Sequence, residues 1–469
     1  MKHHKHRPPR EVRIHGFDAR GGGEGLDVNG TKWSIRGAPV GALIQAAGRN
    51  YDGTRLSLLE PAPDAVTPEC GVFGVCGGCQ WQEMPVERQR EEKGRMLARL
   101  LGELGGEDHG VVSDGPAYGY RNKIELTFGT GRYLLSHELN TEIKREGRWL
   151  GFHAPGRYDR IVDTPDCALA SPAINAVYAR IRADVLASEF GFWDCNAHTG
   201  FFRNLILREG SSREVLAALY TAPGADEHAA WLRERAPSWG ASCVGWFENP
   251  TSADAAVGDL REVLVDSGSG LSITASLGGI RFQLATTAFF QVNVPGAELL
   301  VDVVRRYLGA GGPGSVLWDL YCGAGLLGLA CADRFGTVVG IELVEAAAAD
   351  ARANAAFNGV ENVTFVAGHV EKLVGTLAPP DAVIVDPPRG GLHPDALAVV
   401  AGLAASVGTE GHPTSRVLVY VACKPTSLLR DGKLLAAAGW VCTDRVAVDL
   451  FPQTAHVEVV TRWVARAHP

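Results

Sequence analysis

The chain has 469 residues, 46% of them apolar, a net charge of -8 and ten cysteines. That length exceeds what one core supports and predicts three domains, while the acidic balance excludes a uniformly basic nucleic-acid binder and leaves room for a local basic face. No apolar run reaches the roughly 18 to 20 residues of a membrane span and nothing resembles a signal peptide, so a soluble, cytoplasmic monomer is expected, its cysteines serving as ligands, catalysts or core residues.

The first ten residues, MKHHKHRPPR, read as an unstructured basic arm. From Glu11 to about Leu59, the alternating stretches VRIHGF, KWSIRG and RLSLLE are separated by GGGEG, DVNG and NYDG, a spacing that predicts a small β-barrel. PAPDAVTP then joins the barrel to a first cysteine cluster, and Pro85 opens a charged helix, VERQREEKGRMLARLLGEL, ended by Gly105 and Gly106. Residues 116 to 280 mix strand-like and helical segments. Beyond them SVLWDLYC, TVVGIEL, NVTFVAG, DAVIVD and SRVLVYVAC read as buried strands alternating with helices, a doubly wound α/β sheet.

Gly323, Gly325 and Gly328 form a GxGxxG turn after the first of these strands, and Glu342 ends the next. Small residues let a helix start approach a ligand and the carboxylate can accept from ribose hydroxyls, which suits a nicotinamide dinucleotide as well as S-adenosylmethionine. Three neighbours favour the methyl donor. Asp319 precedes the turn, where an acid can meet a cationic amino group; Asp386-Pro387-Pro388-Arg389 ends the fourth strand; and two further strands, WVCTDRVAVDL and HVEVVTRWV, close the chain. Earlier, Cys70, Cys76 and Cys79 stand as C-x5-C-x2-C, with Cys167 the best fourth thiolate. An iron-sulfur cluster and a structural zinc can both use such a set, and spacing leaves the choice open. Cys195 and Cys243 lack such neighbours and are expected to be buried as small apolar residues.

In combination, CGGCQ, YRNK at Tyr120 to Lys123, FFQVN at Phe289 to Asn293, DLYCGAG, VDPPRGGL, VACKPTSLLRD and FPQTAHVE resemble the S-adenosylmethionine-dependent RNA uracil-C5 methyltransferases. The likeness covers nearly the whole chain and is greatest to the branch that methylates 23S ribosomal RNA and carries a 4Fe-4S cluster. It implies an α/β fold with a C-terminal class I methyltransferase domain (Rossmann-like, doubly wound; 85–115 and 281–469), an N-terminal TRAM/OB-like barrel (10–60) and a mixed α+β central domain for the cluster and RNA (61–84 and 116–280). It further implies that Cys70, Cys76, Cys79 and Cys167 hold the cluster and that Gln291, Tyr321, Glu342 and Asp386 contact the donor beside Gly323 and Gly325. Cys423 would be the nucleophile, Glu458 the general base, and Arg121 and Lys123 would face RNA. Three positions depart from the family pattern: Lys424 stands where asparagine is usual after the nucleophile, Leu326 replaces another asparagine, and His369 occupies a donor-site position that usually carries an amide or acid.

Carbon 5 of uracil is a poor nucleophile until a thiolate adds to carbon 6, so Cys423 is expected to have a lowered pKa, supplied by the start of the following helix. His456 is expected on the same strand face as Glu458. Phe289 or Phe290 could stack on an extruded base, with at least one of them in the core. Transfer RNA is the alternative substrate. Amino-group methylation, which needs neither Cys423 nor Glu458, and an iron-sulfur RNA-binding protein without catalysis are the competing functions.

Overall fold

The computed structural model describes residues 9–49, 52–135, 138–139, 141–268, 270–409 and 413–466, so residues 1–8 of the basic arm lie outside the described residues. Five strands, β1 (Arg10–Phe17), β2 (Gly23–Asp27), β3 (Lys32–Ile35), β4 (Leu43–Arg49) and β5 (Asp52–Glu60), close a barrel in the order β1-β2-β3-β5-β4. Val12, Ile14, Trp33, Ile35, Ile44 and Ala46 fill its interior, as alternation along each strand requires. GEGLD, read in part as a turn, is β2. Its Gly25 lies so close to β1 that a Cβ there would sit 2.5 Å from the Arg13 carbonyl and 2.7 Å from Val12, so glycine here marks close strand packing and not a bend.

Pro85 precedes α1 (Val86–Leu101), and β6 (Glu107–Val112) follows the glycine pair, a strand the sequence did not announce. The central region is a sheet of β7 (Lys123–Gly131), β8 (Glu146–Ala154), β9 (Arg157–Asp163), β10 (Phe202–Glu209), β11 (Val215–Thr221), β12 (Cys243–Glu248) and β13 (Asp259–Val265), in the order β13-β12-β11-β10-β7-β8-β9. Helices α2 (Pro172–Ala187) and α3 (Asp226–Arg235) contribute Ile174, Tyr178, Ile181 and Leu232 to its core.

The expected domain boundary at 280/281 falls inside β15 (Ile280–Leu284), which pairs with β14 (Ile273–Leu277) as a hairpin. That hairpin packs with Ala297, Leu300 and Val301 of α4 (Val294–Leu308), in a core cluster that also takes Ile206, Leu216 and Tyr220 from the central sheet. The two regions therefore share apolar core and no clean boundary exists there.

The remaining strands, β16 (Gly312–Leu320), β17 (Phe335–Glu342), β18 (Val363–Ala367), β19 (Ala382–Val385), β20 (Ser415–Ala422), β21 (Val441–Val448) and β22 (Glu458–Arg466), form a sheet with β6 in the order β18-β17-β16-β19-β20-β22-β21-β6. Only β22 runs antiparallel to its neighbours, and β6 extends the edge parallel to β21. Helices α5 (Leu326–Cys331), α6 (Glu345–Asn358), α7 (Val370–Leu373), α8 (Pro394–Gly402) and α9 (Pro425–Ala437) connect the strands. The strand order reverses between β16 and β19, which opens a crevice at their carboxyl ends.

Candidate active site and thiol cavity

At that crevice Asp319 is buried near the end of β16; its Oδ2 accepts from the Gly328 N–H at 2.8 Å while Oδ1 has no partner. Burial pushes its carboxyl up to about 7, and Asp386 and Glu342 push the same way. Gly328 is required here, because a Cβ would lie 2.8 Å from Asp319 Oδ2. Tyr321 then adopts a left-handed φ of 64°, a costly conformation for a non-glycine residue, held by N–H donation from Tyr321 and Cys322 to the Ile341 carbonyl at 2.9 and 3.1 Å.

Gly323, with φ 53° and open space around it, donates to Glu342 Oε2 at 3.0 Å, and the Val344 N–H reaches Oε1 at 2.9 Å. His369 stands at the N-cap position of α7 without a side-chain cap, its Nδ1 3.3 Å from Glu371 Oε1. Asp386 follows β19, and burial drives its carboxyl up to about 7. Tyr321, Gly323, Gly325, Glu342, His369 and Asp386 thus gather at the carboxyl ends of β16 to β19. Gln291 arrives from outside the sheet, its carbonyl accepting from Asn122 Nδ2 at 2.9 Å.

Cys423 follows the last residue of β20, whose register with β22 runs to Ala422 opposite Val459 and so brings Cys423 opposite Glu458. Glu458 is 8% exposed; burial, then Asp386, holds its carboxyl well above the usual range, and Arg389 opposes the shift. The Cys423 thiol is also raised, first by burial and then by Glu458 and Asp386, against the pull of Arg389. This corrects the expectation of a lowered pKa. Pro425 is the first residue of α9 and has no N–H to offer, so desolvation and two facing carboxyls outweigh the helix start.

The Asp386 loop is fastened to the helix that follows Cys423. Ser427 Oγ donates to the Arg389 carbonyl at 2.8 Å, and fully buried Asp431 accepts from the Leu392 N–H at 2.9 Å and the Tyr420 hydroxyl at 2.7 Å. Lys424 is exposed at the N-cap of α9 and makes no side-chain cap. His456 does not share the face of Glu458: it precedes β22 and is exposed, because the turns before it break the two-residue alternation. Phe290 packs on Phe282 with ring centres 5.5 Å apart, while Phe289 is 77% exposed.

Cys70, Cys76, Cys79 and Cys167 line one cavity of about 480 Å³. Burial raises the thiols of Cys76 and Cys79 to about 11 and about 12, and neighbouring thiolates add to it. The Cys70 N–H donates to Gln82 at 3.1 Å, and Asn175 clamps Cys167 by accepting from its N–H at 3.1 Å and donating to its carbonyl at 3.0 Å. Arg121, expected to face RNA, instead lines this cavity, where its charge favours the Cys76 thiolate; Lys123 is partly buried beside it. Cys243 is buried as expected, whereas Cys195 stays partly exposed in a second cavity with His153 and Asp254.

Sequence reading missed four polar residues behind the site. Lys93 and Asp449 form a fully buried ion pair at 2.6 Å, and Gln89 pairs with Gln453. The signal was present, since Gln89 and Lys93 share the buried face of α1 with Met96 and Leu97.

The family described as a precorrin methyltransferase domain matches residues 308–409. An uncharacterized RNA methyltransferase of Chlorobaculum tepidum is 33% identical, over 93% of this chain and 91% of its own length. Another from Caldanaerobacter subterraneus is 32% identical, over 96% and 97%. Among solved structures, the Pyrococcus abyssi tRNA (uracil-54, C5)-methyltransferase in complex with S-adenosyl-L-homocysteine superposes with a TM-score of 0.74 over 97% of this chain and all of that one; at 24% identity it shares the fold. With a third of its residues matched over more than nine-tenths of its length, the chain belongs to the RNA methyltransferase family.

Proposed function

We propose that this protein transfers a methyl group from S-adenosylmethionine to carbon 5 of a uridine in RNA, with 23S ribosomal RNA as substrate. The observation that carries this reading is the juxtaposition of Cys423 and Glu458 across β20 and β22, beside Asp386 at the carboxyl edge of the sheet. The donor supplies the methyl group and, as a sulfonium, a positive charge. Tyr321, Gly323, Gly325, Glu342, His369, Asp386 and Gln291 hold it, with the free Oδ1 of Asp319 available to its amino group.

Cys423, once deprotonated, adds to carbon 6 of the base and leaves an electron pair at carbon 5; that pair takes the methyl group as the methyl–sulfur bond breaks and its electrons return to sulfur, so that S-adenosylhomocysteine leaves. Glu458 then removes the carbon 5 proton; that bonding pair re-forms the ring double bond, the bond from carbon 6 to sulfur breaks, and Cys423 leaves as thiolate. A raised carboxyl pKa makes Glu458 the stronger base for this step. Phe289 stacks on the extruded base, and the TRAM-like barrel adds contacts along the RNA.

Cys70, Cys76, Cys79 and Cys167 hold a 4Fe-4S cluster in this reading. Zinc with bonds of about 2.3 Å would draw four thiolates to about 3.8 Å from one another. Among the described residues, the triplets of ligand atoms within 4.8 Å are Glu107, His109, Asp444 and Glu371, His393, Asp395; the thiols instead surround a cavity. Broad visible absorbance, lost in Cys76→Ser, tests the assignment.

RNA containing 5-fluorouridine tests the function, because fluorine at carbon 5 leaves Glu458 no proton to remove. The native protein should give a covalent adduct and Cys423→Ala none; methyl label appearing on a base nitrogen would overturn the reading. The fold match to a transfer RNA methyltransferase favours transfer RNA as the alternative substrate, and methylation of undermodified ribosomal and transfer RNA side by side separates the two.

A further inference from the structure

Gln453 lies five positions before Glu458, is 2% exposed, and holds a left-handed φ of 68°. A glutamine pays for that conformation only where its surroundings over-determine it. Here they do, from two sides. Its carbonyl accepts from the Gln80 and Trp81 N–H groups at 2.9 and 3.1 Å, the two residues directly after Cys79. Its side chain and main chain exchange two bonds with Gln89 of α1, each 2.8 Å long, and Gln89 also donates to the Trp81 carbonyl at 3.0 Å. Just before it, the Tyr120 hydroxyl donates to the Pro452 carbonyl at 3.1 Å and Lys93 to the Phe451 carbonyl at 3.2 Å. The thiol segment is therefore hydrogen-bonded to the loop that delivers the proposed base, while Cys423 stands on a different strand, outside this network.

We infer that Gln453 is a positioning residue for proton removal, coupling the thiol segment to Glu458, and this rests on the function proposed above. The coupling acts on one half of the reaction. Addition of Cys423 and methyl transfer leave carbon 5 bearing both the methyl group and its proton, with carbon 6 bonded to sulfur. A displaced Glu458 leaves that proton in place, so the bond from carbon 6 to sulfur persists.

The test incubates full-length protein with ordinary uridine RNA and donor, then measures methylated RNA that stays bound to protein through denaturation. Gln453→Gly removes the side chain while suiting the left-handed backbone, and Gln89→Ala cuts the same pair from the helix; thermal unfolding confirms that each variant folds. Both are expected to accumulate the adduct, as is Glu458→Gln, with an unchanged first turnover of methyl incorporation and release slowed by about 100-fold, the cost of misplacing a catalytic group by about 1 Å. A general loss of packing would instead slow the first turnover. Uniform slowing without adduct, or wild-type release, in both folded variants overturns the inference. If Glu458→Gln itself accumulates no adduct, the function proposed above fails first and takes the coupling with it.

Discussion

At the carboxyl edge of the C-terminal sheet the chemistry-bearing groups stand at strand ends, and around the thiol cavity they stand on turns. Asp319, Glu342, Asp386, Cys423 and Glu458 have main chains fixed by the hydrogen-bonded ladder from β17 to β22 or directly adjoining it. Cys70, Cys76 and Cys79 lie between β5 and α1, and Cys167 lies before α2, outside any strand or helix. A ladder sets side-chain positions to a fraction of an ångström without help from a ligand. Turns hold them only as well as a few clamps, here Gln82 and Asn175. The edge should therefore tolerate loss of one reactive group without losing its shape, while the cavity depends on what its thiols bind.

The sharpest break between the two regions is Cys423→Ala. Methyl transfer should fall by about six orders of magnitude, as removal of a nucleophile does, with the visible absorbance of the proposed cluster unchanged; loss of both would show that the regions do not behave separately. Next comes Lys93→Met, which leaves Asp449 buried behind both regions with only Arg90, 3.9 Å away, to answer its charge. A loss of about 3 to 5 kcal/mol in denaturant unfolding is expected, recovered largely by adding Asp449→Leu. Tyr420→Phe removes one donor to Asp431 within the ladder region and should cost about 1.5 to 3 kcal/mol with the thiol absorbance unaffected.

The last expected effect is a slope with pH. Asp319 and Asp386 titrate near 7 in the folded chain, against an ordinary value of 3.8. Between those values the folded state keeps protons that the unfolded chain has released, so their contribution to stability is full below 3.8 and lost as pH rises through about 7. Unfolding midpoints should fall over that window, and Asp386→Asn should make the fall shallower.

The strands from β16 to β22 were legible in the sequence, because each is a buried run of β-branched and apolar residues bounded by turn residues. The strands β2 and β6 were not. One is rich in glycine used for close packing, and the other, EDHGVV, earns its place by pairing with β21, which lies more than 300 residues away. The hairpin of β14 and β15 was cut because its burial comes from α4, a partner that local periodicity cannot reveal. At the site, motifs located every reacting group proposed, yet two expectations failed for physical reasons that sequence does not carry. The Cys423 thiol is raised first by burial and then by carboxyls from two other segments, and Arg121 lines the thiol cavity. Gln453 escaped notice because its partners, Gln89 through the side chain and Gln80 and Trp81 through the main chain, lie far away in the sequence.

The barrel invites treatment as a detachable module, but one contact argues otherwise. Phe17 and Trp81 pack with Met84 and Ala455 in a small core of their own, with rings of the first two 4.3 Å apart. Gly21, at the barrel's rim, lies so close to Ala455 that a Cβ would fall 2.0 Å from that residue's methyl group. Swapping this barrel for a foreign RNA-binding domain would thus uncover the turn three residues ahead of Glu458. Exchange of substrate specificity by domain grafting must carry Phe17 and Gly21 along with whatever surface reads the RNA.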